Sequence, residues 1–170
     1  IYAKTYNFPS TGLRYFNVFG FRQDPKSAYA AVIPKWIRAM IDGKAVQING
    51  DGETSRDFCF VENVIQMNIL AATGSFDEKH NVYNVALGDK TSLNDLYHML
   101  VNELELHGVN VKVAPEFRPF RKGDVRHSQA SITKAQMHLG YQPEVHIRQG
   151  ISKIIPWYIN HKNYETGHNN

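Results

Sequence analysis

Asn49-Gly50-Asp51-Gly52-Glu53-Thr54-Ser55-Arg56-Asp57-Phe58-Cys59-Phe60-Val61 is the stretch around which the chain is organised. Asn-Gly and Asp-Gly dipeptides permit positive φ, so a sharp turn is expected at Gly50-Asp51-Gly52. The strand-like Ala45-Val46-Gln47-Ile48 feeds the turn, and the apolar Phe58-Cys59-Phe60-Val61 leaves it. Arg56 thus stands where a loop re-enters apolar structure. A planar, permanently charged guanidinium there suits a carboxylate or a diphosphate. A structural ion pair with Asp57 or Asp51 is the alternative.

Upstream, residues 29–41 predict a helix, with Val32, Ile33, Trp36, Ile37 and Met40 at helical spacing. Pro34 is tolerated only in the first turn, which moves the expected start towards Ile33, and Asp42-Gly43 ends it. Trp36 is either a core residue or a wall of a ligand site. Before it lie a polar loop, residues 21–28, and Thr11-Gly12-Leu13-Arg14-Tyr15-Phe16-Asn17-Val18-Phe19-Gly20, expected as a buried parallel strand running into a loop. Asn17 falls at its carboxyl end, where α/β sheets bind ligands. Residues 1–8 read as the last turns of a helix whose start lies upstream, with Asn7 as cap and Pro9 as stop.

Downstream, residues 61–72 form an amphipathic helix pattern with Val64, Ile65, Asn68, Ile69 and Ala72 on neighbouring rows. Residues 81–87 predict a second parallel strand ended by Gly88-Asp89. Ser92 and Asp95 resemble a capping box that opens a helix carrying Leu93, Leu96, Leu100 and Leu104. Residues 109–114 alternate like a strand, and residues 117–120 read as an irregular link. Arg121-Lys122-Gly123-Asp124-Val125-Arg126-His127-Ser128 is a second polar cluster, either a solvated loop or a site in which Arg121 and Asp124 supply donor and acceptor. Ser131 is expected to cap a helix ending at Gly140, and residues 147–159 form the last helix, burying Ile151, Ile154, Ile155 and Tyr158. The tail, residues 161–170, is polar and expected to fray.

Composition removes several function classes. At 170 residues the chain fits one domain or a piece of a larger one. A net charge of +3 without basic runs gives no footprint for nucleic acid. The single cysteine rules out an internal disulfide and suits a reducing compartment. No apolar run reaches membrane length, and a cytoplasmic location is expected. The histidines lack His-x-x-x-His spacing, so no metal role is expected. Neither a Gly-x-Ser-x-Gly elbow nor a Gly-rich phosphate loop before a helix is present.

Four ordered motifs carry a family resemblance: residues 13–20, residues 50–58, Tyr83-Asn84-Val85, and Arg121-Lys122-Gly123-Asp124. Together they resemble the C-terminal half of an extended short-chain dehydrogenase/reductase acting on nucleotide sugars. Ala30-Ala31-Val32-Ile33-Pro34-Lys35-Trp36 and Asp124-Val125-Arg126-His127-Ser128-Gln129-Ala130 bring it nearest to bacterial UDP-N-acetylglucosamine 4-epimerases of surface-polysaccharide synthesis.

The resemblance implies an α/β fold: two strands of a Rossmann parallel sheet plus a small α/β substrate-binding domain. Residues 1–20 and 80–106 would belong to the NAD-binding domain, and residues 21–79 and 107–170 to the UDP-sugar domain. It implies NAD as cofactor, with the glycine-rich loop, the catalytic Ser or Thr and the Tyr-x-x-x-Lys pair all upstream of Ile1, and hence no catalytic residue and no epimerase turnover in this chain alone. Tyr15 and Asn17 would face the cofactor. Asn17 would also meet the substrate near the diphosphate, Ala31 and Val32 would offer backbone donors, and Trp36 would wall the nucleotide. Gln47 and Asn49 would bracket the uracil, Arg56 and Arg121 clamp the diphosphate, and Asp124 accept the ribose hydroxyls, with Ser128 on the same loop. A homodimeric parent protein is implied. A sibling enzyme, such as a nucleotide-sugar dehydratase, decarboxylase or uronate epimerase, and a non-catalytic nucleotide-binding or interaction module remain the alternatives.

Overall fold

The structure is a computed structural model, and it describes residues 1–25, 31–74 and 80–161. The expected first residues of the Trp36 helix, the end of the polar loop before it and the tail beyond His161 lie outside the described residues.

Helix α1 (Tyr2–Tyr6) ends at Asn7 in the left-handed conformation (φ 56°), a cap that asparagine tolerates. Strand β1 (Ser10–Tyr15) pairs in parallel with β6 (His80–Val85), Ser10 opposite His80 and Tyr15 opposite Val85. At Asn17 (φ 24°) the chain kinks and changes partner: β2 (Val18–Phe19) pairs in parallel with β5 (Cys59–Phe60). The expected single strand is therefore two. Nor is β1 buried, since its residues run from half-buried to exposed. Among the described residues it has one strand neighbour, which leaves one edge and part of its faces uncovered.

Helix α2 (Val32–Ile41) buries Ile33, Pro34, Trp36, Ile37 and Met40 along one face. Pro34 sits in the first turn, where its missing N–H costs nothing, and Gly43 (φ 67°) follows the end. Strand β3 (Gln47–Asn49) leads into the Gly-Asp-Gly turn, with Gly50 and Gly52 at φ 75° and 79°. Beyond the turn, β4 (Ser55–Arg56) pairs antiparallel with β7 (Thr91–Ser92). Helix α3 (Val61–Thr73) follows β5. Its buried face centres on Asn63 and Met67, whereas Ile65 and Ile69 of the expected apolar rows are exposed. Asn63 is satisfied there by exchanging both amide bonds with the backbone of Val145.

Helix α4 (Leu93–Leu106) opens as its sequence predicts, Ser92 Oγ accepting from Asp95 N at 3.0 Å and donating to Asp95 Oδ2 at 2.6 Å. Leu96, Leu100 and Leu104 are fully buried. The following segment departs from expectation. Residues 109–114 form no strand, and Val109 and Val111 instead pack loosely on the helical core. The strand is β8 (Glu116–Arg118), in the stretch read as a link, because β3 offers it a parallel edge: Glu116 N donates to Val46 O and Gly50 N donates to Arg118 O, both at 2.8 Å. Helix α5 (Thr133–Leu139) starts after Ile132 rather than at Ser131, whose hydroxyl donates to Thr133 Oγ1, and ends at the left-handed Gly140. Helix α6 (Ile147–Asn160) closes the chain with a capping box of His146 and Gln149.

Two cores result. In the larger one α2, α4 and α6 pack their Ile, Leu and Met side chains around Phe19, Ile48, Phe58 and Phe60. The smaller joins Met67, Tyr83, Val85, Ala135 and Tyr141. Parallel strand pairs flanked by helices make this an α/β protein.

Candidate functional site

A cavity opens where β1 gives way to β2, past the carboxyl end of β1. It encloses about 280 Å³, at the lower edge of ligand pockets (roughly 300–1,000 Å³). Asn17, Val18 and Phe19 form one wall. Ala31, Val32, Ile33 and Trp36 form a second, at the start of α2. That helix starts at Val32 after Ala31, which gives it no side-chain cap, and a helix N-terminus of this kind suits an anion. Trp36 combines both readings of its sequence, being a core residue (5% exposed) that also lines the cavity.

Gln47 and Asn49 of β3, Thr54 at the end of the turn, Arg56 of β4, and Arg121 and Asp124 of the loop after β8 add to the lining. The turn is held rigidly. Leu93 N and Asn94 N, at the start of α4, donate to Thr54 O and Gly52 O, and Asn94 Nδ2 donates to Asp51 O and Glu53 Oε1. The loop carrying Arg121 and Asp124 is strapped across it: Ser55 N donates to Arg126 O at 2.9 Å, and Ser55 Oγ meets His127 Nδ1 at 2.9 Å. Arg126 bonds Asp51 at 2.6 Å and lies over the Phe120 ring, and its guanidinium holds the Asp51 carboxyl below the usual carboxylate range.

Arg56 pairs with Asp124, contrary to the alternatives of Asp57 or Asp51. Its Nη1 also donates to Ser55 O at 2.8 Å. Asp57 faces the opposite way and is wholly buried, where it accepts from Leu87 N, Gly88 N and Ala130 N at 2.9, 3.1 and 3.2 Å. Burial pushes its carboxyl above the ordinary range, and those N–H donors oppose the rise. Arg121 is exposed on the cavity rim and forms no ion pair among the described residues, whereas Asp124 is held by Arg56.

The expected residues Asn17, Ala31, Val32, Trp36, Gln47, Asn49, Arg56, Arg121 and Asp124 are thus brought to one cavity. Ser128 and Tyr15 are not. Ser128 N donates to Ser55 O, which turns that residue into the foot of the strap. The Tyr15 hydroxyl donates to Asn68 Oδ1 of α3 at 3.0 Å. Thr54, Phe58 and Leu93 line the cavity unforeseen. Thr54 and Phe58 lie inside the opening stretch and Leu93 directly follows its partner strand, but only long-range pairing aims them at the site. Among the described residues no cluster of His, Cys, Asp and Glu could hold a metal ion, and no helix is long and apolar enough to cross a membrane.

Comparison with known proteins shows what the chain is similar to. The family model described as NAD dependent epimerase/dehydratase matches residues 1–86. A UDP-N-acetylglucosamine 4-epimerase from Methanobrevibacter ruminantium, solved with UDP-N-acetylmuramic acid, is similar at 36% identity and a TM-score of 0.83, covering 94% of this chain and 49% of its own. A UDP-glucose 4-epimerase from Thermotoga maritima, solved with UDP-glucose, is similar at 34% identity and a TM-score of 0.84, covering 94% and 48%. A putative UDP-glucose 4-epimerase from Methanocaldococcus jannaschii is 33% identical over 94% of this chain and 49% of its own length. The chain spans about half the length of the curated relatives it matches.

Proposed function

Since this chain belongs to the NAD-dependent epimerase/dehydratase family, we propose that it supplies the UDP-sugar-binding part of a UDP-N-acetylglucosamine 4-epimerase. The observation that carries this reading is the convergence of Arg56, Arg121, the uncapped start of α2 and Asp124 on one cavity past the carboxyl end of β1. Two guanidiniums and a helix N-terminus suit a diphosphate, and a carboxylate suits the hydroxyls of a ribose. Trp36, Gln47 and Asn49 then lie on the base side.

NAD, bordered by Asn17 and Tyr15, would supply reversible hydride chemistry at C4 of the sugar. Of this chain's residues Asn17 fits that neighbourhood best, since it is exposed, lies at the carboxyl end of β1 and lines the cavity. Tyr15, exposed beside it, would border the cofactor with its ring while its hydroxyl stays on Asn68. Inversion at C4 needs the nucleotide held fast and the sugar free to turn. In this reading the charged groups lining the cavity, Arg56, Arg121 and Asp124, serve the UDP part of the substrate. The chain's part in the reaction is thus anchoring and orientation.

A second reading, UDP-glucose as substrate, is favoured by the names of the Thermotoga and Methanocaldococcus relatives. Calorimetric titration with UDP, UDP-N-acetylglucosamine and UDP-glucose tests both. Saturable UDP binding with preference for the N-acetyl sugar is expected. Preference for UDP-glucose selects the second reading, and no UDP binding rejects both.

A further inference from the structure

The strands around the cavity do not form one sheet. Strand β1 pairs with β6 as far as Tyr15 and Val85, with Phe16 N still donating to Val85 O, and two residues later β2 pairs with β5. The chain splays at Asn17, and backbone groups beside the splay lose their ladder partners. Asp57 occupies that gap. Its carboxylate takes the N–H groups of Leu87 and Gly88, just past the end of β6, and of Ala130, beyond the strap that bears Arg121 and Asp124. Its own carbonyl accepts from Asn17 Nδ2 at 3.1 Å. One fully buried residue therefore ties the kink, the end of β6 and the strap to the backbone that carries its neighbour Arg56.

We infer that Asp57 is a positioning residue of the diphosphate site, setting Arg56 and Asn17 against the strap that carries Arg121 and Asp124. This rests on the reading of the cavity as a UDP site. The chemistry calls for a carboxylate rather than an amide. The groups that converge on it are all donors, and an asparagine would turn its own NH2 against at least one of them. A buried charge is costly unless such donors surround it, and an apolar residue here would leave the three N–H groups unpaired.

The test is Asp57→Asn, with affinities for UDP and UMP measured side by side. A purely structural residue, once changed, would weaken both ligands alike. Asp57, acting through Arg56, is expected to weaken UDP by about tenfold and UMP by much less, so that the UDP-to-UMP ratio falls. In an Arg56→Ala background Asp57→Asn should then lower that ratio little further. Amide exchange in the unsubstituted protein makes the same test without a variant that could misfold: UDP is expected to slow Leu87, Gly88 and Ala130 more than UMP does. An unchanged ratio in the folded variant, or equal exchange with both ligands, overturns the role of Asp57. Failure of the unsubstituted protein to bind UDP overturns instead the reading of the site on which it rests.

Discussion

Two groups can claim the charge of Arg56: the Asp124 carboxylate beside it and an incoming diphosphate. The pair is partly exposed, so it contributes at most about 1 kcal/mol and can yield to a stronger anion. Asp124→Asn is therefore expected to act in opposite directions on two fragments of the ligand. Inorganic pyrophosphate should bind up to about fivefold tighter, because Arg56 is released, while uridine weakens for want of a charged acceptor. Parallel titrations decide it, and equal weakening of both would mean that Asp124 serves folding. Arg121→Ala should weaken UDP by about tenfold to a hundredfold, the worth of one charge-assisted contact. At the same scale, burial raises the Cys59 thiol from 9.0 to about 11 and the Tyr158 hydroxyl from 10.0 to about 12. Both shifts favour the neutral form in the folded state. The stability they contribute is complete below about pH 9 and is lost as pH rises through about 11 to 12. Melting curves should accordingly hold up to about pH 9 and fall from there to about pH 11, and the Cys59→Ala protein should lose less over that span.

Among the elements, the Gly-Asp-Gly turn and α4 depend on each other. A Cβ on Gly52 would stand 2.0 Å from Asn94 Oδ1, and the residue holds φ 79°. Gly52→Ala is thus expected to cost more than about 1 kcal/mol in chemical denaturation, through strain and the loss of the Asn94 bonds to the turn. It should also weaken UDP binding, since Thr54 and Arg56 move with the turn. Ser92→Ala removes the cap of the same helix for about 1 kcal/mol and leaves the turn in place, so its effect on UDP should be slight. Leu100→Ala, in the fully buried stripe, is expected to cost about 2–5 kcal/mol. A loss of UDP binding that followed stability across all three variants would reject the special place of the turn.

Over the whole molecule, burial is uneven. The core shared by α2, α4 and α6 holds many side chains at or near zero exposure. Strand β1 has one neighbour among the described residues, and Tyr2, Tyr6, Phe8 and Tyr15 around it are more than half exposed. Regions with few buried apolar contacts open first. Amide exchange is expected to be fastest in β1 and β6 and slowest in α4 and α6. Equal protection in both regions would show that some other surface covers β1.

Features that depend on neighbours along the chain are legible in the residues themselves. The left-handed ends at Asn7 and Gly140, the Asp42-Gly43 stop, the Ser92–Asp95 cap and the Gly-Asp-Gly turn each follow from the conformational freedom or hydrogen-bonding reach of one or two side chains. Asn17 is legible as a strand-end residue, while Ala31, Val32, Gln47 and Asn49 are expected at the site only through the family resemblance. What the residues leave open is the choice among distant partners. Residues 109–114 alternate as a strand should, yet β8 forms further on, since only there does the chain lie along β3. Arg56 has three carboxylates within plausible reach and takes Asp124, which is 68 residues away, because the strap pinned by Ser55, Arg126 and His127 brings that one alone to its guanidinium. Asp57, adjacent in sequence, points into the gap between strand pairs instead. Alternation, charge and proximity along the chain propose such pairings, and the packing of the folded chain selects among them.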